Sequence, residues 1–247
     1  MKKRTLSRSL LTLALGMSLA AAGAFAAFAD PLGLSYINGQ NVTSRFGSFE
    51  LSVPSEYKVD RSGASSALSG ELVAGLVENG GKVDFAASMV DETNKSYIIN
   101  TALVMPADDG SGQPFSVAAL KAELAESGLD PENTESGTVR LGAADYEYLK
   151  VNYGKMMADS MRRQLELGRL SEKQKAQAQT FINQMEKMLV NDFYIRNTGD
   201  QIYILCQTYS SDQVQRAAAF LSLLKPYTGV EGWYKNGENW QYKKADG

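Results

Sequence analysis

Alternation of apolar and polar residues along the chain predicts a series of β-strands. Residues 46–53 alternate, with Phe49 and Leu51 on one face, and Pro54 ends the run because proline cannot donate to a strand ladder. Strand patterns recur in five later segments: 82–90, 97–105, 146–153, 192–197 and 201–209. Residues 198–200, Thr-Gly-Asp, join the last two and are typical of a hairpin turn, so the sheet is predicted to be antiparallel.

Two of the predicted strands differ from the rest in being apolar on both faces. The segments 97–105 and 201–209 carry apolar residues at odd and even positions alike, which is typical of central strands covered on both sides. In 82–90, by contrast, the apolar residues alternate: Val83, Phe85, Ala87 and Met89. The alternation predicts that all four share one face of the sheet.

Two helices are predicted from apolar positions three and four residues apart. Ser116 is placed to cap a helix that carries Leu120 and Leu124 and ends at Gly128. Ser211 begins a second helix, which Pro226 ends and which carries Val214, Ala217, Ala218, Leu221 and Leu224. Both helices are predicted to pack against the sheet.

A helical hairpin is predicted within residues 155–190. Its arms are 155–167 and 171–190, joined at Gly168, and Ser-Glu-Lys-Gln at 171–174 has the form of a capping box. On the second arm helical spacing predicts one apolar stripe: Ala178, Phe181, Ile182, Met185, Met188 and Leu189. The hairpin is interpreted as an insertion over one edge of the sheet.

Methionine is concentrated in this hairpin. It holds five of the seven methionines that follow residue 29: Met156, Met157, Met161, Met185 and Met188. Methionine at helical spacing ordinarily fills an apolar core, and this is the first interpretation. Two others stay open: a pliable surface for a protein partner or an apolar ligand, and a metal carrier, because thioethers are soft ligands for copper.

The order of strands and helices, together with the run FELSVPSEYKV at 49–59, is similar to the PsbP/Mog1-like α+β sandwich. Members of that family often begin with a strand, a proline and an aromatic residue, and the terminal strand and helix at 201–224 fit the same order. The resemblance implies an α+β domain over 46–228, with an antiparallel sheet packed with helices. In that family the fold serves many secreted bacterial proteins, usually non-enzymatic, so it does not specify an activity.

The N-terminus has the composition of a secretory signal. Four basic residues among the first eight precede an uncharged stretch rich in Leu and Ala, and Ala27-Phe28-Ala29 offers small residues where a signal peptidase cleaves. Residues 1–29 are predicted to be a cleaved signal peptide, and 30–45 an N-terminal extension. The predicted location is extracellular or on the cell wall, with no membrane span after cleavage. An uncleaved N-terminal anchor is the alternative, since about twenty apolar residues can span a bilayer.

Composition excludes several kinds of function. Removing the four basic residues of the signal from 25 leaves 21 against 28 acidic residues, a net charge of −7, which disfavours nucleic acid as a partner. The chain has no histidine, which excludes Ser-His-Asp and Cys-His catalysis and histidine-containing zinc sites. Cys206, the only cysteine, alternates with Ile202 and Ile204 and is predicted to be buried on an apolar face. No cofactor and no metal are predicted.

An extracellular hydrolase of wall glycans that uses two carboxylates is the enzymatic alternative, because such chemistry needs no histidine. The densest acidic pair, Asp108-Asp109, is flanked by Pro and Gly, which predicts a solvated turn. The first expectation is therefore that the protein is not an enzyme.

The segment 229–247 combines two Trp and two Tyr with Gly among polar residues. Its Trp233, Trp240, Tyr242 and Gly247 place the two indoles seven residues apart, and this spacing resembles one unit of the choline-binding, or cell-wall-binding, repeat family. The resemblance implies a short β-hairpin in which Trp233, Trp240 and Tyr242 contact choline or a teichoic-acid-like wall polymer through cation-π contacts. Gln241 replaces an aromatic residue common in the family, and Gly237 comes one position earlier than usual.

A complete choline cage in that family draws residues from two consecutive units, and this chain has one. Wall contact would therefore need a second copy or help from the main domain. The alternative is a hairpin that only completes the fold. Together the sequence predicts a secreted, non-catalytic binding protein associated with the envelope of a Gram-positive cell, whose partners are wall polymer and, through the helical hairpin, possible protein partners.

Overall fold

The computed structural model describes residues 34–61, 81–91, 93, 96–107, 116–126, 134–167, 172–186, 190–199, 201–227, 232–236 and 239–243. Within these ranges strands alternate with helices, and every strand pair is antiparallel. The chain is therefore an α+β protein with antiparallel sheets. The predicted signal peptide 1–29, Asp108-Asp109, Gly168, Ser171 and Met188 lie outside the described residues.

The strands form three sheets. In chain order they are β1 (Tyr36–Asn38), β2 (Asn41–Ser44), β3 (Phe49–Ser52), β4 (Lys58–Asp60), β5 (Lys82–Asp91), β6 (Ser96–Pro106), β7 (Thr134–Leu141), β8 (Ala144–Asn152), β9 (Val190–Asn197), β10 (Gln201–Tyr209), β11 (Lys225–Pro226), β12 (Gly232–Asn236) and β13 (Asn239–Lys243). The large sheet has the order β4-β5-β6-β10-β9-β8-β7, the small sheet β1-β2-β3-β11, and β12 pairs with β13. The hairpin β9–β10 thus lies at the centre of the large sheet.

Four α-helices are described: α1 (Val117–Glu126), α2 (Tyr153–Leu167), α3 (Glu172–Met185) and α4 (Val214–Ser222), the last preceded by a 3-10 turn at Ser211–Gln213. The predicted cap of α1 is confirmed, since Ser116 Oγ accepts the backbone N–H of Ala119 at 3.2 Å. The helical hairpin is also present as α2 and α3, but its second arm ends at Met185 and residue 190 already begins β9.

The large sheet is covered on both faces, which gives the molecule two apolar clusters. The helix-side cluster holds Leu120 and Leu124 of α1 and Met156 of α2 against β6, β8, β9 and β10. The sheet-side cluster packs the small sheet and α4 against the opposite face, with Phe49 of β3 and Phe220 of α4 almost fully buried. Strands β6 and β10 are buried on both faces, as the sequence predicted for central strands.

One predicted face is wrong because β5 contains a bulge. The register of β5 against β6 shifts between Val83 and Phe85, so one extra residue is inserted. Phe85, Ala87 and Met89 belong to the sheet-side cluster as predicted, but Val83 packs against the helix-side cluster. A strict period of two cannot anticipate a one-residue insertion, which reverses every face assignment beyond it.

Two helical predictions also need correction. Phe181, which was assigned to the apolar stripe of α3, is 51% exposed, whereas its neighbour Ile182 is fully buried. Val214, at the start of α4, is 52% exposed, whereas Ala217 and Phe220 are buried. In both helices the buried stripe is narrower than helical spacing alone predicts, because the neighbouring layer covers only part of each helix surface.

Residues 36–44, which the sequence assigns to an N-terminal extension, form β1 and β2. These strands continue into β3, and Val42 is buried in the sheet-side cluster. The turn between β2 and β3 is held from the large sheet: Tyr146 Oη donates to Gly47 O at 2.6 Å, and Arg196 donates to Phe46 O at 2.7 Å. The small sheet is therefore part of the main fold.

Candidate functional site

The C-terminal segment forms a two-stranded hairpin, β12 and β13. Its register pairs Trp233 with Tyr242 and Lys235 with Trp240. Directly paired residues and residues two apart on one antiparallel strand lie on the same face. The three aromatic residues predicted from the sequence as a wall-polymer site are therefore placed on one face of the hairpin, together with Lys235.

The opposite face of the hairpin carries Tyr234, which pairs with Gln241, and Gly232, which pairs with Lys243. Gln241, where the repeat family commonly has an aromatic residue, thus lies on the face opposite Trp233 and Trp240. The replacement therefore does not affect the face that holds Trp233, Trp240 and Tyr242.

The methionines of the helical hairpin divide by depth. Met156 is 2% exposed and belongs to the helix-side cluster, whereas Met157 and Met161 are half-buried. The burial of Met156 supports the interpretation as core packing. Met185 ends α3, and its side chain and Met188 lie outside the part of the chain whose side chains are described. The side chains described are those of Met156, Met157 and Met161, so the grouping of all five methionines as one surface or metal site stays a prediction.

One ion pair between described residues joins the two arms of the hairpin. Arg162 of α2 contacts Glu186, just after α3, at 2.6 Å and Asp159 of its own helix at 2.8 Å. All three side chains are about one-third exposed, and hydrogen bonding to Glu186 is the largest cause of a raised pKa for Arg162. The pair of Arg162 and Glu186 is therefore one polar contact between the arms at the surface.

A row of polar side chains crosses the large sheet on its sheet-side face. Directly paired positions on five neighbouring strands form it, and we call this set the polar row: Glu135 of β7, Lys150 of β8, Asp192 of β9, Gln207 of β10 and Asn100 of β6. Asp192, Gln207 and Asn100 are buried, whereas Glu135 is exposed. The row therefore runs from the surface at the β7 edge into the core.

Asp192 is the buried acidic member of the row. Its Oδ2 accepts a hydrogen bond from Tyr209 Oη at 3.0 Å and a longer contact of 3.4 Å from Tyr194 Oη. Burial raises the pKa of this carboxyl from 3.8 to about 6, and the hydrogen bond from Tyr209 and the charge of Lys150 oppose that rise only in part. The pKa of Asp192 thus lies above that of an ordinary aspartate because of its burial.

The exposed end of the row is built around Tyr148. Its hydroxyl donates to Glu135 Oε1 at 3.0 Å, its ring lies 6.4 Å from the ring of Tyr194, and Lys150 Nζ lies 5.7 Å from its centroid. Gly137 is paired with Tyr148, and a Cβ there would come within 3.0 Å of the ring. Glycine at this position thus lets the tyrosine ring lie across β7.

A second buried carboxyl lies at the bulge of β5. Asp84 is fully buried and accepts hydrogen bonds from the backbone N–H of Ser35 at 2.6 Å, from Ser35 Oγ at 2.5 Å and from Tyr203 Oη at 2.9 Å. Ser44 Oγ lies 3.0 Å from Asp84 Oδ2, the oxygen that also accepts from Ser35 Oγ and Tyr203 Oη. Both carboxyl oxygens of Asp84 have donors, so this cluster joins the two sheets and has the character of a structural site.

Cys206 is buried in the helix-side cluster, which confirms the sequence prediction. Burial raises the pKa of its thiol to about 11, and weak contacts with Thr208 and Asn191 oppose this rise. Such a thiol is a poor nucleophile at neutral pH, because little of it is present as thiolate.

Among the residues that the structure describes, no three Asp, Glu, Cys or His side chains are grouped so that they could hold a metal ion. No helix within the described ranges has the length and apolar character needed to cross a membrane.

The polar row was missed from the sequence. Its members lie far apart along the chain, and Asp192 and Gln207 were read only as polar positions within strand runs. The one available signal was a charged residue at the start of an otherwise apolar segment, Asn191-Asp192-Phe193, which predicts an edge or an end of a strand as readily as a site. Only the register of β8, β9 and β10 brings these residues together.

Comparison of the chain with protein-family models, with curated proteins and with solved structures gives no match.

Proposed function

We propose that the protein is a secreted binding protein associated with the cell envelope, and that the hairpin β12–β13 contacts wall polymer. The observation that carries this proposal is the register that places Trp233, Trp240 and Tyr242 on one face. An aromatic face of this kind suits the ammonium of choline, through cation-π contacts, and the apolar faces of sugars. Binding at such a face requires no catalytic group.

Charge supports wall polymer as the ligand class. The residues after the predicted signal carry a net charge of −7, yet the hairpin and the residue after it hold Lys235, Lys243 and Lys244. Within 232–244 these three lysines stand against one acidic residue, Glu238, whereas 229–247 as a whole has three basic and three acidic residues. The small positive excess of the hairpin itself attracts the phosphate groups of teichoic-acid-like polymers, which the acidic remainder of the chain would repel. Contact with an anionic polymer is therefore expected to weaken as the salt concentration rises.

One hairpin gives weak binding by itself. A single aromatic face is worth about 1–2 kcal/mol per cation-π contact, far from the free energy of a stable complex. The wall presents many copies of one repeating unit, so a second copy of the chain or a second contact on the main domain raises the apparent affinity through effective concentration. We therefore expect attachment to the wall to be multivalent.

The test is sedimentation of the purified exported protein with isolated Gram-positive cell walls. The full chain from residue 30 is compared with a chain truncated before Gly229, and free choline is used for elution. We expect the full chain to pellet and the truncated chain to stay in the supernatant. Elution by choline assigns the aromatic face to choline, and elution by salt alone assigns it to the anionic polymer. Equal behaviour of the two chains would contradict the proposal.

The second candidate function is hydrolysis of wall glycans by carboxyl groups. One observation favours it: the pKa of Asp192 is raised to about 6, which suits a general acid, and Glu135 lies two strands away in the polar row. Asp192 is only 4% exposed, so access of a glycan to it is poor, and this candidate ranks second. Release of reducing sugars from walls by the native chain, and its loss in Asp192→Asn and Glu135→Gln, would support it.

A further inference from the structure

The buried part of the polar row contains two acceptor oxygens for which the described residues provide no hydrogen-bond donor. Oδ1 of Asp192 and Oε1 of Gln207 are both buried, and neither has a hydrogen-bond partner among the residues that the structure describes. The two residues are directly paired between β9 and β10, which places their Cβ atoms about 4.5–5.5 Å apart. A buried oxygen without a donor costs about 1–3 kcal/mol, so two adjacent ones call for a common explanation.

Exchanging the amide oxygen and nitrogen positions of Gln207 would not provide the missing donor. Its Nε2 donates to Asn100 Oδ1 at 2.6 Å and to the backbone oxygen of Ala217 in α4 at 3.1 Å, which uses both amide hydrogens. Asn100 Nδ2 in turn is 3.4 Å from the backbone oxygen of Ala87. A flipped amide would direct an oxygen at two acceptors, so the observed orientation is fixed. With Nε2 bound to Asn100 of β6 and to Ala217 of α4, the other strand beside Gln207 is β9, where Asp192 is its direct partner.

Among the described residues, the other donors near Asp192 do not bond its Oδ1. The hydroxyls of Tyr209 on β10 and Tyr194 on β9 both point to Oδ2. Lys150 on β8 has its ammonium 3.8 Å from Glu135 of β7. These tyrosines, Lys150 and Glu135 are the titratable groups that act on Asp192, and none of them donates to its Oδ1. A proton on Asp192 itself supplies the missing donor.

We propose that Asp192 and Gln207 form a buried proton-binding site, in which the proton resides on Oδ1 of Asp192 and is donated to Oε1 of Gln207. The proton comes from solvent and converts the carboxylate into a neutral carboxylic acid. One bond then satisfies both oxygens. Asp192 keeps its acceptor Oδ2 for the two tyrosines, and Gln207 keeps both hydrogen bonds through its amide nitrogen.

The site links pH to the packing of α4. Gln207 holds the α4 backbone at Ala217, and the proton joins Gln207 to β9, so protonation completes a continuous set of bonds from α4 through β10 to β9. Burial of Asp192 acts in the same direction, since it disfavours the charged carboxylate. Loss of the proton removes the bond between Asp192 and Gln207 and weakens this connection.

The sign of the pH effect follows from linkage. The pKa of Asp192 is raised in the folded protein to about 6 from an ordinary value of 3.8. Between these two values the folded protein binds more protons than the unfolded chain, so this group stabilises the fold fully below about pH 4, and the stabilisation is lost as the pH rises through about 6. The difference in pKa corresponds to about a hundredfold in the folding equilibrium constant.

Asp192→Asn tests the site, because the asparagine amide donates to Gln207 at every pH and its oxygen still accepts from the tyrosines. The folding equilibrium constants of the variant and the native chain are measured from about pH 4 to about pH 8. Their ratio, variant over native, is expected to rise about a hundredfold over this interval. The matched control is Asp145→Asn, whose side chain is 66% exposed and whose ratio is expected to change by less than about threefold.

A flat or falling ratio for Asp192→Asn would overturn the proposal, since it would mean that Asp192 is ionised throughout and that something else, such as a trapped water molecule, donates to both oxygens. A second measurement removes dependence on the variant. The carbon resonance of the Asp192 carboxyl in the native chain is expected to titrate near pH 6, and titration near the ordinary aspartate value would equally overturn the proposal.

Discussion

The hydroxyl of Tyr203, at the centre of the large sheet, donates a 2.9 Å hydrogen bond to Oδ2 of Asp84, at the bulge of β5. Ser35 and Ser44 bring the small sheet to the same carboxyl. The bulge that moves Val83 to the opposite face is therefore also the place where a buried acid joins the two sheets. These contacts make the association of the small sheet specific, because a purely apolar interface would tolerate several alignments.

Tyr203→Phe is expected to lower the free energy of unfolding by about 2 kcal/mol, because it removes a buried hydrogen bond to a carboxyl without changing the ring. Denaturant unfolding measures the change. Tyr148→Phe is the matched control: its hydroxyl also bonds a carboxyl, that of Glu135, but at the surface, and a change below about 0.5 kcal/mol is expected. Equal costs for the two variants would mean that Asp84 does not hold the sheets together.

Gly142→Ala is expected to destabilise the fold by about 3 kcal/mol or more. Gly142 has φ +59°, and a Cβ there would come within 2.6 Å of the Phe49 side chain and of the Ser48 backbone oxygen. Gly39 has nearly the same φ, +58°, with no atom within 4 Å of the added Cβ. Gly39→Ala therefore pays only the conformational cost, about 1 kcal/mol, and the difference between the variants measures the clash. Thermal unfolding of both variants gives that difference.

Cys206 is expected to resist alkylation in the folded protein. The thiol is 4% exposed and its pKa is raised to about 11, so at about pH 8 roughly one molecule in a thousand carries the thiolate. Labelling with iodoacetamide is expected to require unfolding, and its rate in denaturant serves as the control. Fast labelling of the native chain would contradict the burial of this strand face.

Ile182→Ala and Phe181→Ala are expected to differ sharply although the residues are neighbours on α3. Ile182 is fully buried, and its truncation is expected to cost about 2–4 kcal/mol. Phe181 is 51% exposed, so its truncation is expected to cost less than about 1 kcal/mol. Denaturant unfolding of the two variants compares them. A larger loss of unfolding free energy for Phe181→Ala would mean that Phe181 is buried, as helical spacing predicts.

Substitutions on the two faces of the hairpin β12–β13 are expected to separate wall contact from folding. Trp233→Ala and Trp240→Ala each remove an aromatic residue from the proposed binding face, and each is expected to lower apparent wall affinity about 5- to 30-fold. Tyr234→Ala, on the opposite face, is the control and is expected to leave affinity within about twofold. Loss of pelleting in all three variants would instead indicate that the hairpin has a structural role.

The sequence determined those features that depend on local patterns. Alternation located β5, β6, β9 and β10 to within a few residues, and the double-sided apolar runs identified the two central strands correctly, because burial on both faces leaves no room for polar side chains. The cap at Ser116 and the burial of Cys206 were also local consequences of residue type and spacing. Strand β7 was missed because its residues are mostly exposed and carry little periodicity.

The tertiary structure alone decided which residues meet. Asp192 and Gln207 are fifteen positions apart, on strands whose alignment is set by the hairpin turn at Gly199, and Lys150 and Glu135 join them from a different hairpin. Composition specifies how many polar groups must be buried or exposed, but the register decides which of them face one another without a donor. That pairing, and with it the protonation of Asp192, arises only when β8, β9 and β10 lie side by side.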